Sequence, residues 1–310
     1  MISVIMPLYR AEKYIRESVA SILNQSYTEF ELIIIDDCGG DKSLELVKAF
    51  HDPRIRIIQN DINRGISRSR NIGIQNARGE YIAILDDDDI SSPERFKIEK
   101  KYLDEHPEVQ CVCGDMRFID NNGTMIVRTP METFMNPLRT KAELIFQDVV
   151  PNGSAMFRRS FVTANNLNFK DNQYGMEDYR FWSEFSTKGN IASVGEVVYY
   201  WRITKDNETS RNLVMENIGR KNNFEEIQRY NISLNGFQLE DDELKTFCNC
   251  FSEITKYVSF YELDTVKKVL LKMMGQTENM KADFSREFSF ACKRHFARLT
   301  EKSEIWGNYE

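Results

Sequence analysis

The chain has 310 residues with 41 Lys and Arg against 48 Asp and Glu, a formal net charge of −7. That acidic balance argues against a protein that holds nucleic acid by bulk charge. Apolar residues make up 41% and charged ones 29%, with 15 Gly and 7 Pro, which excludes disordered and low-complexity chains and leaves room for one large domain plus an appendage.

Met1 leads directly into the apolar run Ile2–Met6, with no basic segment before it and too few residues for an export signal or a membrane span. A cytoplasmic chain is expected. Ile2–Met6, Phe30–Ile35, Arg54–Ile58 and Tyr81–Leu85 read as strands, the second and fourth almost wholly apolar, as strands covered on both faces should be. Between them, Ile15, Val19, Ile22 and Leu23 mark one face of an amphipathic helix, and Lys42–Phe50 and Ser67–Ala77 follow as two more. The alternation predicts an α/β fold with a mostly parallel, doubly wound, Rossmann-like sheet whose ligands lie beyond the carboxyl ends of the strands. Further on, a helix from Pro93 to about Glu105, a strand at Val109–Gly114, a turn at Asn121-Asn122-Gly123 and a strand at Thr124–Val127 are expected. Strands at Gly153–Arg158 and Ile191–Ile203 flank a helix over Glu177–Ser186. From about Asp206 the pattern is helical, with a soft boundary near residue 210. Six cysteines without zinc-ligand spacing read as reduced, structural thiols. His51, His106 and His295 are scattered and read as surface or structural residues.

The strand ends carry the chemistry. The first strand ends in Pro7-Leu8-Tyr9, the second in Asp36-Asp37 and the fourth in Asp86-Asp87-Asp88-Asp89. Four like charges at the mouth of a buried strand repel one another unless a cation compensates, and carboxylate oxygens suit Mg²⁺ or Mn²⁺ together with a ligand's phosphates. Counting from Asp86 puts Ser91 and Lys97 where a calcium loop needs Gly and Glu, and neither a GxxxxGK[ST] loop nor a GxGxxG fingerprint is present.

Taken together, the sequence resembles family 2 glycosyltransferases with the A-type (GT-A) nucleotide-sugar-binding fold. The likeness rests on Val4–Tyr9 with Glu12, Tyr14 and Ile15, on Glu31–Asp37, on Asn63-Arg64-Gly65 leading to Ser69-Arg70-Asn71, and on Gly79–Ile82 running into the four aspartates and Pro93. It covers about residues 1–205. It implies a catalytic domain over 1–210, with a nucleotide-sugar half at 1–115 and an acceptor half at 116–210, followed by a helical region at 211–310. It also implies an inverting, metal-dependent transfer of a hexosyl or N-acetylhexosaminyl group from a nucleotide sugar to a hydroxyl of a glycan or lipid-linked glycan, in bacterial surface polysaccharide synthesis.

Position by position, the resemblance implies that Pro7, Tyr9 and Glu12 line the base and ribose pocket, and that Asp37 accepts the imide N–H of uracil, which favours a UDP-sugar. It places Arg70 near the nucleotide and makes Asp86 and Asp88 the metal-binding DxD, with Asp87 between them. Gly175-Met176-Glu177-Asp178 matches the acidic pair that opens a helix, with Asp178 as general base; one carboxylate suffices because the diphosphate leaves without a protein acid. Trp182 packs either an acceptor sugar or the core. Two departures stand out: Asp36-Asp37-Cys38-Gly39-Gly40-Asp41 replaces a Gly-Ser loop, and Thr204 stands where relatives carry a His after Arg202.

Nucleotidyl transfer and nucleotide-sugar binding without catalysis are the competing readings. The first wants a Gly- and Lys-rich loop that Pro7–Arg10 is not, and the second leaves Asp178 without a purpose. In the tail, Val266, Val269, Leu270 and Met273 form one apolar stripe, and Phe284, Phe288, Ala291, Phe296 and Leu299 another. Both are expected either to pack on the catalytic domain or to meet an anionic membrane at its inner face.

Overall fold

A computed structural model describes residues 1–171, 173, 175–204, 218–252 and 258–307. Strands β1 (Ile2–Leu8), β2 (Phe30–Asp36), β3 (Ile55–Gln59) and β4 (Tyr81–Ile84) run parallel in the order β3-β2-β1-β4. The connections are α1 (Ile15–Leu23), α2 (Ser43–Lys48) and α3 (Ile66–Asn76). Alternation along β1 and β2 explains their unbroken apolar sequences. Val4, Met6, Leu32 and Ile34 face a core shared with α1 and α2, whereas Ile5, Ile33 and Ile35 face a second core on the opposite side of the sheet.

The second half continues the same sheet. A short β5 (Ile90–Ser91) precedes α4 (Arg95–Glu105), and β6 (Cys111–Ile119) forms a hairpin with β7 (Met125–Ile126). Then come α5 (Pro137–Glu143), β8 (Met156–Arg158), α6 (Arg159–Ala164), α7 (Glu177–Lys188) and β9 (Ile191–Arg202). Strand β8 inserts antiparallel between β4 and β6, β9 lies parallel to β6, and β5 closes the edge antiparallel to β9. The sheet is therefore mostly parallel, as the sequence predicted.

Several boundaries differ. Strand β6 runs on to Ile119, five residues past its expected end. Gly153 and Ser154, expected to begin a strand, lie in a 3₁₀ turn over Asn152–Ser154, so only Met156–Arg158 pairs with β4. The pair Ile90-Ser91 is too short for its alternation to be visible in the sequence. Beneath this junction Arg95 is fully buried. It pairs with Glu99 at 3.0 Å and donates to the carbonyls of Gly153 (2.7 Å), Ile84 (3.0 Å) and Ala155 (3.2 Å). Four acceptors satisfy a guanidinium that could not otherwise be buried.

Beyond β9 lie α8 (Ile218–Leu234), α9 (Asp241–Cys250), α10 (Phe260–Gln276) and α11 (Ala282–Gly307). Ser259 and Glu262 exchange hydrogen bonds as a capping box at the start of α10. Both predicted tail stripes lie in a third core with Ala142, Ile145 and Phe146, and Phe224 and Ile227 of α8 join the second core. Packing against the catalytic domain thus accounts for the stripes. The buried carboxylate of Glu143 accepts from Arg294 and from His295 Nε2 at 2.7 Å, while the His295 ring stacks on Phe146 at 4.3 Å. The expected boundary near residue 210 lies outside the described residues.

Candidate active site

The end of β1 tolerates proline for a geometric reason. The last paired residues of β1 and β4 are Ile5 and Ile84, so Pro7 falls beyond the ladder on the side its nitrogen faces. The next residue with a free side chain, Tyr9, is 43% exposed, with the Arg10 guanidinium 5.0 Å from its ring centre. Its ring is open for stacking. The Tyr9 N–H donates to Asp87 Oδ2 at 2.8 Å, which ties the end of β1 to the acidic run. Glu12 is drawn into the altered 36–41 loop: its N–H donates to Asp41 at 3.1 Å and its carboxylate accepts from the Lys42 N–H at 3.2 Å. The Asp residues of that loop therefore keep a structural use although its Gly-Ser pair is replaced.

Asp37 is nearly buried at the end of β2. It accepts from Asn60 Nδ2 (2.7 Å) and from the backbone N–H groups of Arg64 and Gly65 (both 2.8 Å), clamping the segment that precedes α3. Gly65 has φ +84°, a left-handed conformation that glycine adopts without strain.

The four aspartates are not equivalent. Asp89 is buried; it accepts from the Arg202 N–H at 2.7 Å and from the Tyr199 hydroxyl. Burial and the charge of Asp88 hold its carboxyl well above the ordinary range, and the Tyr199 phenol is likewise raised. Asp88 lies nearer the surface, its carboxyl pushed up to about 7 by burial and by the charge of Asp86. Arg202, fully buried, fixes this loop from below: Nε donates to the Asp88 carbonyl and Nη2 to Glu17, each at 2.7 Å. The sequence marked Arg202 only as a landmark before Thr204; its role as the anchor of the acidic loop carried no signal in spacing. Thr204 itself is buried.

Arg70 joins the two halves of the domain. It is 2% exposed, with Nη2 at 2.9 Å from Asp86 at the end of β4 and Nη1 at 2.7 Å from Glu177 at the start of α7. Burial opposes its charge, but Asp86, Glu177 and Asp178 outweigh that and raise its pKa. Asp178 follows Glu177 on the first turn of α7. Burial, then the Glu177 charge, pushes its carboxyl up to about 7 against the pull of Arg70. Trp182, one turn on, is fully buried against Phe157, Phe181 and Phe185, so of its two expected uses only the core one remains.

The structure thus brings Asp86, Arg70, Glu177 and Asp178 into one contiguous set and links Tyr9 to Asp87, while Pro7, Glu12 and Asp37 frame the adjoining rim. Among the described residues no three His, Cys, Asp or Glu side chains form a metal cage. Asp88 and Asp86 nevertheless fit a hard divalent ion whose remaining positions are filled by phosphate and water oxygens. Burial first and then the Asp86 charge raise the Asp88 carboxyl, and a cation between the two would offset both.

Residues 3–164 match the family model described as "Glycosyl transferase family 2". A Haemophilus influenzae protein described as an uncharacterized glycosyltransferase is 30% identical over 236 residues, 70% of this chain and 73% of that one. The poly(ribitol-phosphate) beta-N-acetylglucosaminyltransferase TarS of Staphylococcus aureus is 27% identical over 66% of this chain and 36% of its own. Among solved structures, S. aureus TarS 1–349 in complex with UDP-GlcNAc superposes with a TM-score of 0.65 at 19% identity, over 100% of this chain and 92% of that one. The Pyrobaculum calidifontis mannosyltransferase PcManGT in complex with GDP-Man and Mn²⁺ does so at 0.58 and 16%, covering 99% and 87%.

Proposed function

The chain belongs to glycosyl transferase family 2 and is a glycosyltransferase with the GT-A fold; from this premise we propose that it transfers a sugar, with inversion, from a UDP-sugar to a hydroxyl of a glycan or lipid-linked glycan. The observation that carries the reading is the Arg70 bridge, which holds the acidic end of β4 beside the first turn of α7. A base with a pKa near 7 then stands next to carboxylates suited to a diphosphate–metal pair.

In this reading Tyr9 stacks on the base, and Asp37 receives the uracil imide N–H on the one acceptor site left at Oδ2. Asp178 removes the proton from the acceptor hydroxyl as the hydroxyl oxygen attacks the anomeric carbon and the bond to the diphosphate breaks. One carboxylate is enough because the leaving diphosphate needs no protein acid, unlike the paired carboxylates of glycosidases. Mn²⁺ or Mg²⁺, held by Asp88 and Asp86, supplies charge neutralisation of the diphosphate when bound. One relative, S. aureus TarS, solved with UDP and with UDP-GlcNAc, and a second solved with GDP-Man and Mn²⁺ support the donor class and the ion. A further relative, the Escherichia coli UDP-Glc:alpha-D-GlcNAc-diphosphoundecaprenol beta-1,3-glucosyltransferase WfgD, 26% identical over 74% of this chain and 83% of its own, supports a lipid-linked acceptor in surface polysaccharide synthesis.

Nucleotide-sugar stabilisation tests the donor. A UDP-sugar is expected to raise Tm in the presence of Mn²⁺ and much less after EDTA. Equal shifts from GDP-, dTDP- and UDP-sugars would refute the uridine assignment.

Peripheral contact with the inner face of the membrane belongs to the same proposal. No helix among the described residues is long and apolar enough to cross a membrane. Phe260, Tyr261 and Leu271 are exposed on α10 beside Lys267, Lys268 and Lys272, of which Lys268 pairs with Asp264 and Lys272 with Glu243, each at 2.6 Å; the exposed aromatic and apolar side chains are what would meet lipid. Cosedimentation of the full chain with phosphatidylglycerol vesicles, compared with the triple Ser variant at these three positions, decides it; equal pelleting removes α10 from the contact.

A further inference from the structure

A separate cavity of about 220 Å³ opens where the first turn of α3 meets the approach to α7, lined by Arg64, Ser67, Arg68, Asp171, Gln173 and Glu177. Its α3 side is electropositive by construction. Gly65 caps the helix without a side-chain acceptor, and no acidic residue stands in the first turn. Asp37 takes the Arg64 and Gly65 N–H groups, which leaves the N–H groups of the first turn proper without a side-chain cap. Arg64 and Arg68 add two guanidinium groups. Their partners are the solvent-exposed Asp61, at 3.3 Å, and Asp171, at 2.7 Å, which water screens and an incoming anion can replace.

The opposite wall has the reverse character. Gln173 is 8% exposed and Glu177 is 5% exposed, yet Gln173 Oε1 and Glu177 Oε2 have no hydrogen-bond partner. Glu177 Oε1 is committed to Arg70, so only Oε2 remains for a ligand. Leaving such acceptors buried and unpaired costs about 1–3 kcal/mol each, and a donor entering the cavity, from water or from a ligand, relieves it. Hydroxyl groups are suitable donors; a bare anion is not, because it would meet Glu177 as a like charge.

We propose that this cavity is a subsite for a phosphate ester of a hydroxyl-rich acceptor. The phosphate would lie against Arg64, Arg68 and the start of α3, and neighbouring hydroxyls would donate to Gln173 Oε1 and Glu177 Oε2. The inference rests on the transferase reading above and deepens it by giving the acceptor an anionic character. It also gives Glu177 two uses, one oxygen positioning Arg70 and the other meeting the acceptor beside Asp178.

The phosphate of the donor nucleotide is the other source of the same chemistry, and the test separates the two. Binding of sn-glycerol 3-phosphate, glycerol and inorganic phosphate is measured by calorimetry on the full chain saturated with UDP and Mn²⁺. Glycerol 3-phosphate is expected to bind, glycerol not to bind, and the double variant Arg64→Gln/Arg68→Gln to weaken the affinity roughly tenfold or more, with UDP affinity unchanged. Gln173→Met is expected to bring glycerol 3-phosphate down to the affinity of inorganic phosphate. Displacement of glycerol 3-phosphate by UDP would assign the cavity to the donor and overturn the proposal; unchanged binding in the double variant, or none in the native chain, would overturn it too. Failure of the UDP-sugar reading shows separately, as absence of UDP binding in the same cell.

Discussion

Arg70 donates to Glu177 at 2.7 Å, joining α3 to the first turn of α7. Its second nitrogen holds Asp86 at 2.9 Å, so one guanidinium fixes the spacing between the acid at the end of β4 and the acid that opens α7. Arg70→Leu leaves two carboxylates without their cation in a buried setting. A loss of roughly 3–5 kcal/mol of stability is expected, by denaturant unfolding. Arg70→Lys keeps the charge but cannot span both acids, so it is expected to fold better than Arg70→Leu while turnover stays at least about tenfold down.

Asp178 is expected to set the pH dependence of turnover. A base works only when deprotonated, and this carboxyl sits at about 7, so kcat should rise with pH through that region and level off above it. Asp178→Asn is expected to lower kcat by about 10²–10⁴ with UDP affinity unchanged. Undiminished transfer by this variant would remove Asp178 from the role of base.

For Asp88 the expected sign is unusual. Its folded pKa, about 7, lies above the ordinary 3.8, so the unfolded chain releases this proton first as pH rises. The contribution to stability is therefore intact below about pH 4 and is lost as pH climbs towards 7. Metal-free Asp88→Asn should exceed the native chain in Tm, with a gap that widens between about pH 4 and pH 7 and levels off above it. The same variant should lose the gain in UDP affinity that Mn²⁺ gives the native chain; an undiminished Mn²⁺ effect would remove Asp88 from the metal site.

The Asp89 carboxyl is raised in the same direction, but its oxygens hold two donors, so removing the side chain has a different cost. It is buried under Tyr199 and the Arg202 backbone and faces no ligand. Asp89→Ala strands both donors and is expected to cost about 2–4 kcal/mol at neutral pH, read as a lower denaturation midpoint, with no change in the Mn²⁺ concentration needed for half-maximal activity. Adjacent acids that respond oppositely to neutralisation would separate the scaffold from the site.

Glu143 links α5 to α11 through Arg294 and His295. Glu143→Leu leaves the Arg294 charge and the His295 ring without their buried acceptor, and hydrogen exchange should show α11 opening more readily while β1, β2 and β4 stay protected. Uniform loss of protection would mean that tail and sheet unfold as one unit.

The parallel half of the sheet was legible because each strand there is covered on both faces, which turns Phe30–Ile35 and Tyr81–Leu85 into apolar runs that end in the acids. The switch to an antiparallel β8 was not, since Met156–Arg158 is three residues long and its direction depends on partners distant in the chain. The acidic run showed where charge accumulates but not which members are exposed. Asp89 turned inward because Tyr199 and Arg202, 110 and 113 positions later, arrive beneath it. That Arg70 gives both its terminal nitrogens to carboxylates carried no signal in spacing, and Glu177, its second partner, was legible only as a member of the acidic pair that opens a helix. The spacing of Trp182 from Asp178 could not reveal that its face of α7 turns to the sheet.

Arg95 gives the cleft a fixed datum. Because its guanidinium holds the carbonyls of Ile84, Gly153 and Ala155 at once, the strand leading into the acids and the turn at 152–154 cannot slide past each other without breaking all three bonds in a dry interior. The opposite bank is tied as well, by the buried pair of Arg70 with Glu177 and by bonds from Ser67 and Asn71 to the carbonyls of Lys170 and Phe169. Two buried guanidinium groups, one on each side, thus hold the walls of the cleft in register.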